Sequence, residues 1–469
     1  MPRGLRLPLL LAFAVLALTA EPASAHAMER AFVLLLPTGL VMAGGTAAVV
    51  VSFAVLALVP ARALQAIAGH KPEGAIAGNL IWPSCSSFAF LCFLIVCGLF
   101  GSRDPLENPL PLTIWVLWWV GFTLLQAIVG DLWRWLNPWS GPARLVQRAL
   151  GLGGGPWHGL LRYPGWLDHW PAVASFLAFA WIEIVSLAPS DPMLLAETVG
   201  LYVLGTFAGV LVFGETAWLG KAEAFSVYFR LVGQLSPIVW RGPGRFRFPG
   251  AGLVAGEAVS LSLALFVLLT LASVSFDGLS HTFWWLSWWG INPLEFPGRS
   301  GAVTASTLGL VGAWVLLAAL FLASVAAGAW LAGEAGAWLT AFCRFAPTLI
   351  PISLAYHLAH YLTALLVNGQ DAIVAFNDPF GQEVDLLGLG WFRVSLSVVN
   401  DWRSVSVIFA LQSLAIVTGH ILAVVLAHAV SLRTHASPRL ALLAELPLAV
   451  FMVAYTLLGL WLLATPVAG

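Results

Sequence analysis

Two histidines lie one helical turn apart in the segment LAYHLAHYLTALLVNGQD, residues 354–371. His357 and His360 project from one face of a helix, close enough to ligate a single ion or to share a hydrogen-bond network. Carboxylates follow them, Asp371 in the same segment and Asp378 in NDPFG. The pattern predicts either a metal site, with Asp371 or Asp378 orienting water as a general base, or a hydrogen-bond network without metal.

The N-terminus supplies a further candidate metal ligand. A basic start and an apolar run lead to the triplet ASA at residues 23–25, which is typical of a cleaved signal peptide over residues 1–25. Cleavage there would expose His26, whose α-amine and ring nitrogen form a chelating pair of the kind that copper favours. Cleavage two residues later would start the chain at Met28 instead. A terminal His26 would either join His357 and His360 at a copper or zinc site or simply extend from the start of the first helix.

Polar residues inside other apolar runs are candidates because their burial in hydrocarbon is unfavourable unless they are paired. Glu183, in AFAWIEIVSLA, has no cation beside it in the sequence and should be protonated or face a partner on another helix. His420 and His428 are eight residues apart and could line one broad face, as an ion or proton path would require. Four side chains lie near the ends of their runs and are expected to snorkel to water: Glu197, Glu215, His428 and Glu445.

The elements that position these residues must be membrane helices. Of 469 residues, 60% are hydrophobic and 9% charged, and the mean hydropathy is +0.91. This balance predicts an all-α, polytopic transmembrane helix bundle with about ten spans after the signal peptide, and a single domain over residues 26–469. The formal net charge of -1 leaves no basic surplus for nucleic acid, which we do not expect as a partner.

Ten apolar runs have about the length that a bilayer demands. They cover residues 32–58, 81–101, 110–131, 169–188, 194–214, 252–274, 303–332, 336–366, 404–431 and 441–465. With the N-terminus outside, the predicted inner loops hold most of the Lys and Arg residues, as the positive-inside rule requires. We therefore expect a multi-pass protein of the bacterial inner membrane with both mature termini outside. A helix that ends near Leu366 would place the two histidines close to the outer surface.

Several segments together carry a resemblance to a known family. They are AHAMERAFVLLLPTG, LWRWLNPW, AEAFSVYFRLVGQLSPI, AYHLAHYLTALLVNGQ followed by NDPFG, and HILAVVLAHAVSL. Over most of its length the chain resembles the bacterial multi-spanning membrane proteins known as fenitrothion hydrolases. The resemblance implies P–O cleavage of an apolar organophosphorus ester at the membrane, in some cases by two related subunits. It also implies that His360, and with it His357, are the functional histidines.

The sequence leaves three functions open. The first is a membrane-embedded, metal-dependent hydrolase with an apolar small-molecule substrate and an outward-opening histidine site. The second is the handling or transport of copper or another metal ion, with Glu183, His420 and His428 passing the ion inward. The third is a non-catalytic subunit that assembles with a related membrane protein. Neither an HExxH motif nor a Gly-x-Ser-x-Gly elbow is present to decide among them.

Overall fold

The computed structural model describes residues 36–59, 61–68, 81–151, 156–240, 245–293, 295 and 298–467. His26 and the expected signal peptide lie outside the described residues, so both stay predictions. The structure is 75% helical, and the only strands in its described part form a two-residue antiparallel pair, Ile238–Val239 with Arg245–Phe246. This confirms the all-α class.

Nine long apolar helices and one shorter one, α4, correspond one to one with the ten apolar runs of the sequence. They are α1 (Thr38–Leu56), α2 (Ile81–Phe100), α3 (Pro109–Val129), α4 (Trp170–Ile184), α5 (Pro192–Phe213), α6 (Leu261–Ser280), α7 (Val303–Leu331), α8 (Ile350–Asn377), α9 (Trp402–Thr434) and α10 (Pro438–Ala464). The centre of α3 is π-helical over Thr113–Phe122. Shorter α-helices connect them: Ala61–Ala68, Trp133–Leu136, Ser140–Ala149, Glu215–Ala217, Ala224–Gly233, Ala251–Val254, Phe283–Trp288, Trp338–Phe345 and Ser397–Asn400.

Length separates α4 from the other nine helices. Within the described ranges, nine helices are long and apolar enough to cross a membrane. The 15 residues of α4 rise only about 22 Å, less than the roughly 30 Å of hydrocarbon in a bilayer. The expected polytopic helix bundle is therefore confirmed, with nine full-length candidate spans and one short apolar helix in the described part of the chain.

Side-chain caps fix where helices begin. Asp191 accepts a hydrogen bond from the backbone N–H of Leu194 at 2.9 Å and so caps α5. Asp401 accepts one from the N–H of Ser404 at 3.0 Å and so caps α9. Each carboxylate satisfies a backbone donor that the first turn of a helix would otherwise leave free. The cap at Asp401 thereby sets the depth of every residue along α9.

α6 lies at the centre of the bundle, with most of its side chains buried, and packs against α4, α7 and α8. α8 in turn packs against α3 and α9, and α9 packs against α10. Small residues allow these close approaches: a Cβ atom added to Gly419 of α9 would lie 2.7 Å from the carbonyl oxygen of Pro351 in α8. This is the small-residue packing that membrane helices use in place of a water-excluded core.

Two helix boundaries differ from the sequence prediction in ways that matter for the site. The sixth run was expected at 252–274, but Ser260 caps α6, which then runs to Ser280. The eighth run was expected to end near Leu366, but α8 continues to Asn377 and stops before Pro379, because the residue preceding a proline disfavours helical geometry. The first change brings Asp277 into a membrane helix, and the second leaves His360 seventeen residues before the end of α8.

The bundle has two ends, which we name after a histidine at each. The His281 end carries the C-termini of α4, α6, α8 and α10, and the His435 end carries the loop at residues 435–437 between α9 and α10. The positive-inside rule predicts that the His435 end faces the cytoplasm.

Candidate functional site

The site is built around a carboxylate that the sequence analysis had placed in a loop. Asp277 is buried in the last turn of α6, and its Oδ2 lies 2.8 Å from Nε2 of His360 on α8. The His360 side chain remains 25% exposed, so this imidazole is held by a buried carboxylate while one edge stays open. Such a pair has the arrangement of a general base and the group that orients it.

A second imidazole flanks the same carboxylate. His281 directly follows α6, and its Nε2 lies 3.6 Å from Asp277 Oδ1, the oxygen that His360 does not use. The spacing of four residues puts both side chains on one face of the helix. His281 is 43% exposed. Asp277 therefore lies between a partly enclosed and an open histidine.

Tyr361 joins Asp277 to Glu183. Its hydroxyl oxygen is 2.7 Å from Glu183 Oε1 and 2.9 Å from Asp277 Oδ2. A phenol carries one hydrogen, so it can donate to only one of these oxygens, and the other contact needs a hydrogen from the carboxyl group. Asp277 faces the imidazoles of both His360 and His281, which favour its charged form, so we place this hydrogen on Glu183. We call Glu183, Asp277, His281, His360 and Tyr361 the His360 centre.

Trp119 supports the centre from α3. Its indole Nε1 donates to Glu183 Oε1 at 2.9 Å, and its backbone carbonyl accepts from Nε2 of His357 at 3.0 Å. The carbonyl belongs to the π-helical part of α3, a geometry that is frequent at functional sites. On the opposite side, Arg299 Nη1 donates to the carbonyl oxygen of Glu183 at 2.6 Å, where a cation is favourable at the C-terminus of α4.

A large apolar cavity lies near Trp119. It has a volume of about 530 Å³ and lies among α2, α3, α4 and α5, with Trp115, Trp118, Phe179 and Ile182 in its walls. The ring of Phe179 packs edge-on against Trp119, with 4.8 Å between ring centroids. Trp119, which holds Glu183, therefore lies behind Phe179 in the wall of the cavity.

The two histidines of the opening pattern have different partners. His360 reaches Asp277, whereas His357 is buried and bonded to a backbone carbonyl. The expected carboxylates do not join them: Asp371 lies roughly 16 Å further along α8, and Asp378 accepts hydrogen bonds from the backbone N–H groups of residues 382 and 383 in a turn. Asp378 thus has a local structural partner, and His26 is outside the described residues.

The remaining intramembrane candidates lie away from the centre. His420 is fully buried and bonds the carbonyl oxygen of Ile416 through Nδ1 at 2.8 Å. His428 and Glu445 pair with each other at 2.6 Å, and Glu215 pairs with Arg144 at 2.7 Å. The expectation that these three acidic and imidazole groups snorkel to water is wrong, because each finds a partner inside the bundle.

The donor groups of the centre do not fit a metal as they are placed. No three His, Cys, Asp or Glu side chains in the described part of the chain are arranged as a set of metal ligands. His360 uses Nε2 toward Asp277, the contact of an N–H donor rather than of a metal-bound nitrogen.

No protein-family model, no curated protein and no solved structure matches this chain. The expected relationship to fenitrothion hydrolases consequently stays a proposal.

Sequence reasoning missed Asp277 and His281. Both belong to the segment SFDGLSH, which begins directly after the sixth predicted run, 252–274, so that Asp277 and His281 fell outside the predicted helices. The available signal was an Asp four residues before a His, directly after an apolar run. That spacing places both side chains on one helical face if the run continues as a helix.

Proposed function

We propose that the chain is a membrane-embedded hydrolase whose acid–base site is the His360 centre. The observation that carries the proposal is the 2.8 Å contact between His360 Nε2 and Asp277 Oδ2, combined with the partial exposure of His360. A buried carboxylate that accepts the Nε2 hydrogen fixes the tautomer, so Nδ1 is the nitrogen that can take a proton from water. Asp277 is then the orienting group, and His360 is the general base.

Glu183 and Tyr361 supply the general acid. They share a hydrogen beside the base, and Trp119 holds Glu183 in place through its indole N–H. A group that carries a proton can donate it to a leaving group as the new bond to water forms. Base and acid then lie on the two sides of Asp277.

The substrate class follows from the surroundings. The bilayer concentrates apolar esters, and the 530 Å³ cavity beside Trp119 offers apolar volume of the size that small-molecule sites use. With the resemblance to fenitrothion hydrolases, this favours an organophosphorus ester with apolar substituents. A related subunit as a further partner rests on the resemblance alone.

Hydrolysis by the protein in nanodiscs tests the proposal, with an aryl phosphorothioate triester as substrate. His360→Gln should lower the rate by about 10²–10⁴-fold, the usual contribution of a positioned base. His357→Gln is the matched control, because this histidine lies one turn away and contacts only a backbone carbonyl and neighbouring rings. Equal rates for wild type and His360→Gln, or no hydrolysis by the wild type, would contradict a hydrolytic role.

Elemental analysis of the purified wild type and of the double variant His357→Ala/His360→Ala tests the metal-handling alternative. A stoichiometric metal that is lost in His357→Ala/His360→Ala, without any hydrolysis by the wild type, would favour that alternative instead.

A further inference from the structure

A second imidazole–carboxylate pair lies in the half of the bundle toward the His435 end, and the proposed hydrolase does not use it. His428 Nδ1 on α9 is 2.6 Å from Glu445 Oε2 on α10, and the two side chains are only 4% and 1% exposed. The other oxygen, Glu445 Oε1, is buried and has no hydrogen-bond partner among the described residues. We call these two residues the Glu445 pair.

A carboxylate oxygen buried this deeply needs a hydrogen-bond partner. Buried polar atoms are almost always hydrogen-bonded, and an unpaired one is strongly unfavourable in a medium of low dielectric constant. The pair already uses Oε2, so Oε1 is completed by a water that donates a hydrogen bond to it or, once Oε1 binds a proton, by a water that accepts the hydrogen bond from the new O–H. The geometry therefore admits a proton together with a single water.

A polar route leads from the pair to the surface at the His435 end. Ser431, one turn from His428, lies with its Oγ 3.3 Å from Nδ1 of His435, and His435 Nε2 is 3.8 Å from Glu334 Oε2. Glu334 is 46% exposed. Ser431 Oγ also donates to the carbonyl oxygen of Ala441 at 2.8 Å, so the groups between the pair and the aqueous surface that can take up and release a proton are His435 and Glu334.

A small cavity runs beside this route. It has a volume of about 50 Å³ and is lined by Glu334, His435, Arg344 and Ala444, the residue before Glu445. One water molecule occupies about 30 Å³ of liquid volume, so this space accommodates at least one water among polar partners. Helix α7 packs closely against α10 beside the cavity, since a Cβ added to Gly328 would lie 1.9 Å from the carbonyl oxygen of Ala444.

The route does not continue toward the His281 end. Between His428 and His420, roughly 12 Å apart along α9, the inward side chains are apolar. These are Ala423, Val424, Leu426 and Ala427, each at most 1% exposed. Access to the Glu445 pair is consequently one-sided.

We propose that the Glu445 pair is a proton-exchange site that opens only to the His435 end. Protons enter through Glu334 and His435, pass the cavity and reach Glu445 Oε1. Arg344 lies on the cavity wall, while Arg433 on α9 and Arg62 on the neighbouring helix Ala61–Ala68 add positive charge at the same end. The helices α1 and α7, which also pack against α9 or α10, contribute no titratable side chain.

Infrared difference spectroscopy on uniformly oriented proteoliposomes tests this directly. The band of a protonated carboxyl group is assigned to Glu445 by its loss in Glu445→Gln, and pH is then stepped on one side of the membrane between about pH 5 and 8. We expect the band to follow pH at the His435 end, and to follow pH at the other end only after a proton ionophore is added.

Two surface variants sharpen the test without disturbing the buried pair. Glu334→Gln should slow the response at the His435 end, whereas Glu383→Gln, an exposed carboxylate in the loop after α8 at the opposite end, should leave it unchanged. A Glu445 band that follows pH at the His281 end, or one that responds to neither side, would overturn the proposal. If Glu445→Gln does not fold, Glu445→Asp assigns the band by shifting its frequency. Hydrolysis is not part of the readout, so the outcome is independent of the proposed enzymatic activity.

Discussion

The His360 centre and the Glu445 pair use the same two residue types in different settings. In each, an imidazole meets a carboxylate on a neighbouring helix, at 2.8 Å in the first and 2.6 Å in the second. His360 is a quarter exposed and its carboxylate has three partners, whereas His428 is 4% exposed and leaves one carboxylate oxygen without a partner among the described residues. Exposure decides what each can do: the first can meet a substrate, and the second can exchange only a proton.

The largest expected difference between the two regions is in stability. His428→Leu leaves Glu445 buried without its partner and should lower the free energy of unfolding by about 3–5 kcal/mol. His360→Leu should lower it by only about 1 kcal/mol, because Asp277 keeps Tyr361 and His281. Thermal unfolding in detergent measures both variants.

The double variant His428→Leu/Glu445→Leu is the control for this comparison. It removes the charge together with its partner, so most of the loss should be recovered. Equal losses for the two single His→Leu variants would show that the two pairs are energetically alike and would contradict the contrast between them.

The comparison also shows which features of the structure could be predicted from the sequence. The ten apolar runs located each of the helices α1 to α10, although not their exact ends. Burial in hydrocarbon requires a length and an apolar composition that can be read directly from a sequence. The expectation that Glu183 needs a partner on another helix is also met, by Trp119 and Tyr361. In both cases the physical requirement is local to one segment.

The pairings themselves are tertiary and were not predicted. His428 and Glu445 are seventeen residues apart, near the ends of two runs, where snorkelling was the reasonable expectation. Asp277 and His360 are separated by more than eighty residues, and Asp277 was assigned to a loop because α6 was placed too early. Which buried groups meet depends on helix register, and apolar runs set that register only to within several residues.

A steric block of the His360 centre should have the next largest effect. A Cβ added to Gly278 would lie 3.8 Å from His360 Nδ1, the nitrogen assigned as the base. Gly278→Leu should therefore lower hydrolysis by about 10²-fold, since small displacements at a reacting group have effects of that size. Gly312→Leu is the control, because an added Cβ there meets nothing within 4 Å. Unchanged hydrolysis in Gly278→Leu would argue against Nδ1 as the base.

Loss of the hydroxyl between the two carboxyl groups should have a smaller effect. Tyr361→Phe removes the contacts to Glu183 and Asp277 and should reduce stability by about 1–3 kcal/mol, the range for leaving buried polar groups unpaired. The Glu445 infrared band should be unaffected, because the two regions are not connected by hydrogen bonds in the described structure. A shifted Glu445 band in Tyr361→Phe would show that they communicate.

The smallest expected effect concerns a partly buried carboxylate outside the membrane helices. Burial alone would raise the pKa of Asp168, but hydrogen bonds from Ser260 and Ser262 and the adjacent His169 outweigh it and hold that pKa below its ordinary value. A lowered pKa stabilises the fold above the ordinary value of about 3.9, and this contribution is lost as pH falls through the folded-state pKa. Asp168→Asn should therefore reduce stability near neutral pH by about 1 kcal/mol.

The pH profile of thermal unfolding checks this sign. The wild-type and Asp168→Asn midpoints should converge as pH falls below about 4. A difference that grows toward acid pH would mean that the Asp168 carboxylate is not stabilised in the fold.

The most direct test of the contrast compares hydrolysis by His360→Gln and His428→Gln under identical conditions, using only folded, monodisperse protein. We predict that His360→Gln loses about 10²-fold or more of the wild-type rate, while His428→Gln stays within roughly threefold of it. A similar loss in both variants, or a larger loss in His428→Gln, would contradict the assignment of the chemistry to the His360 centre.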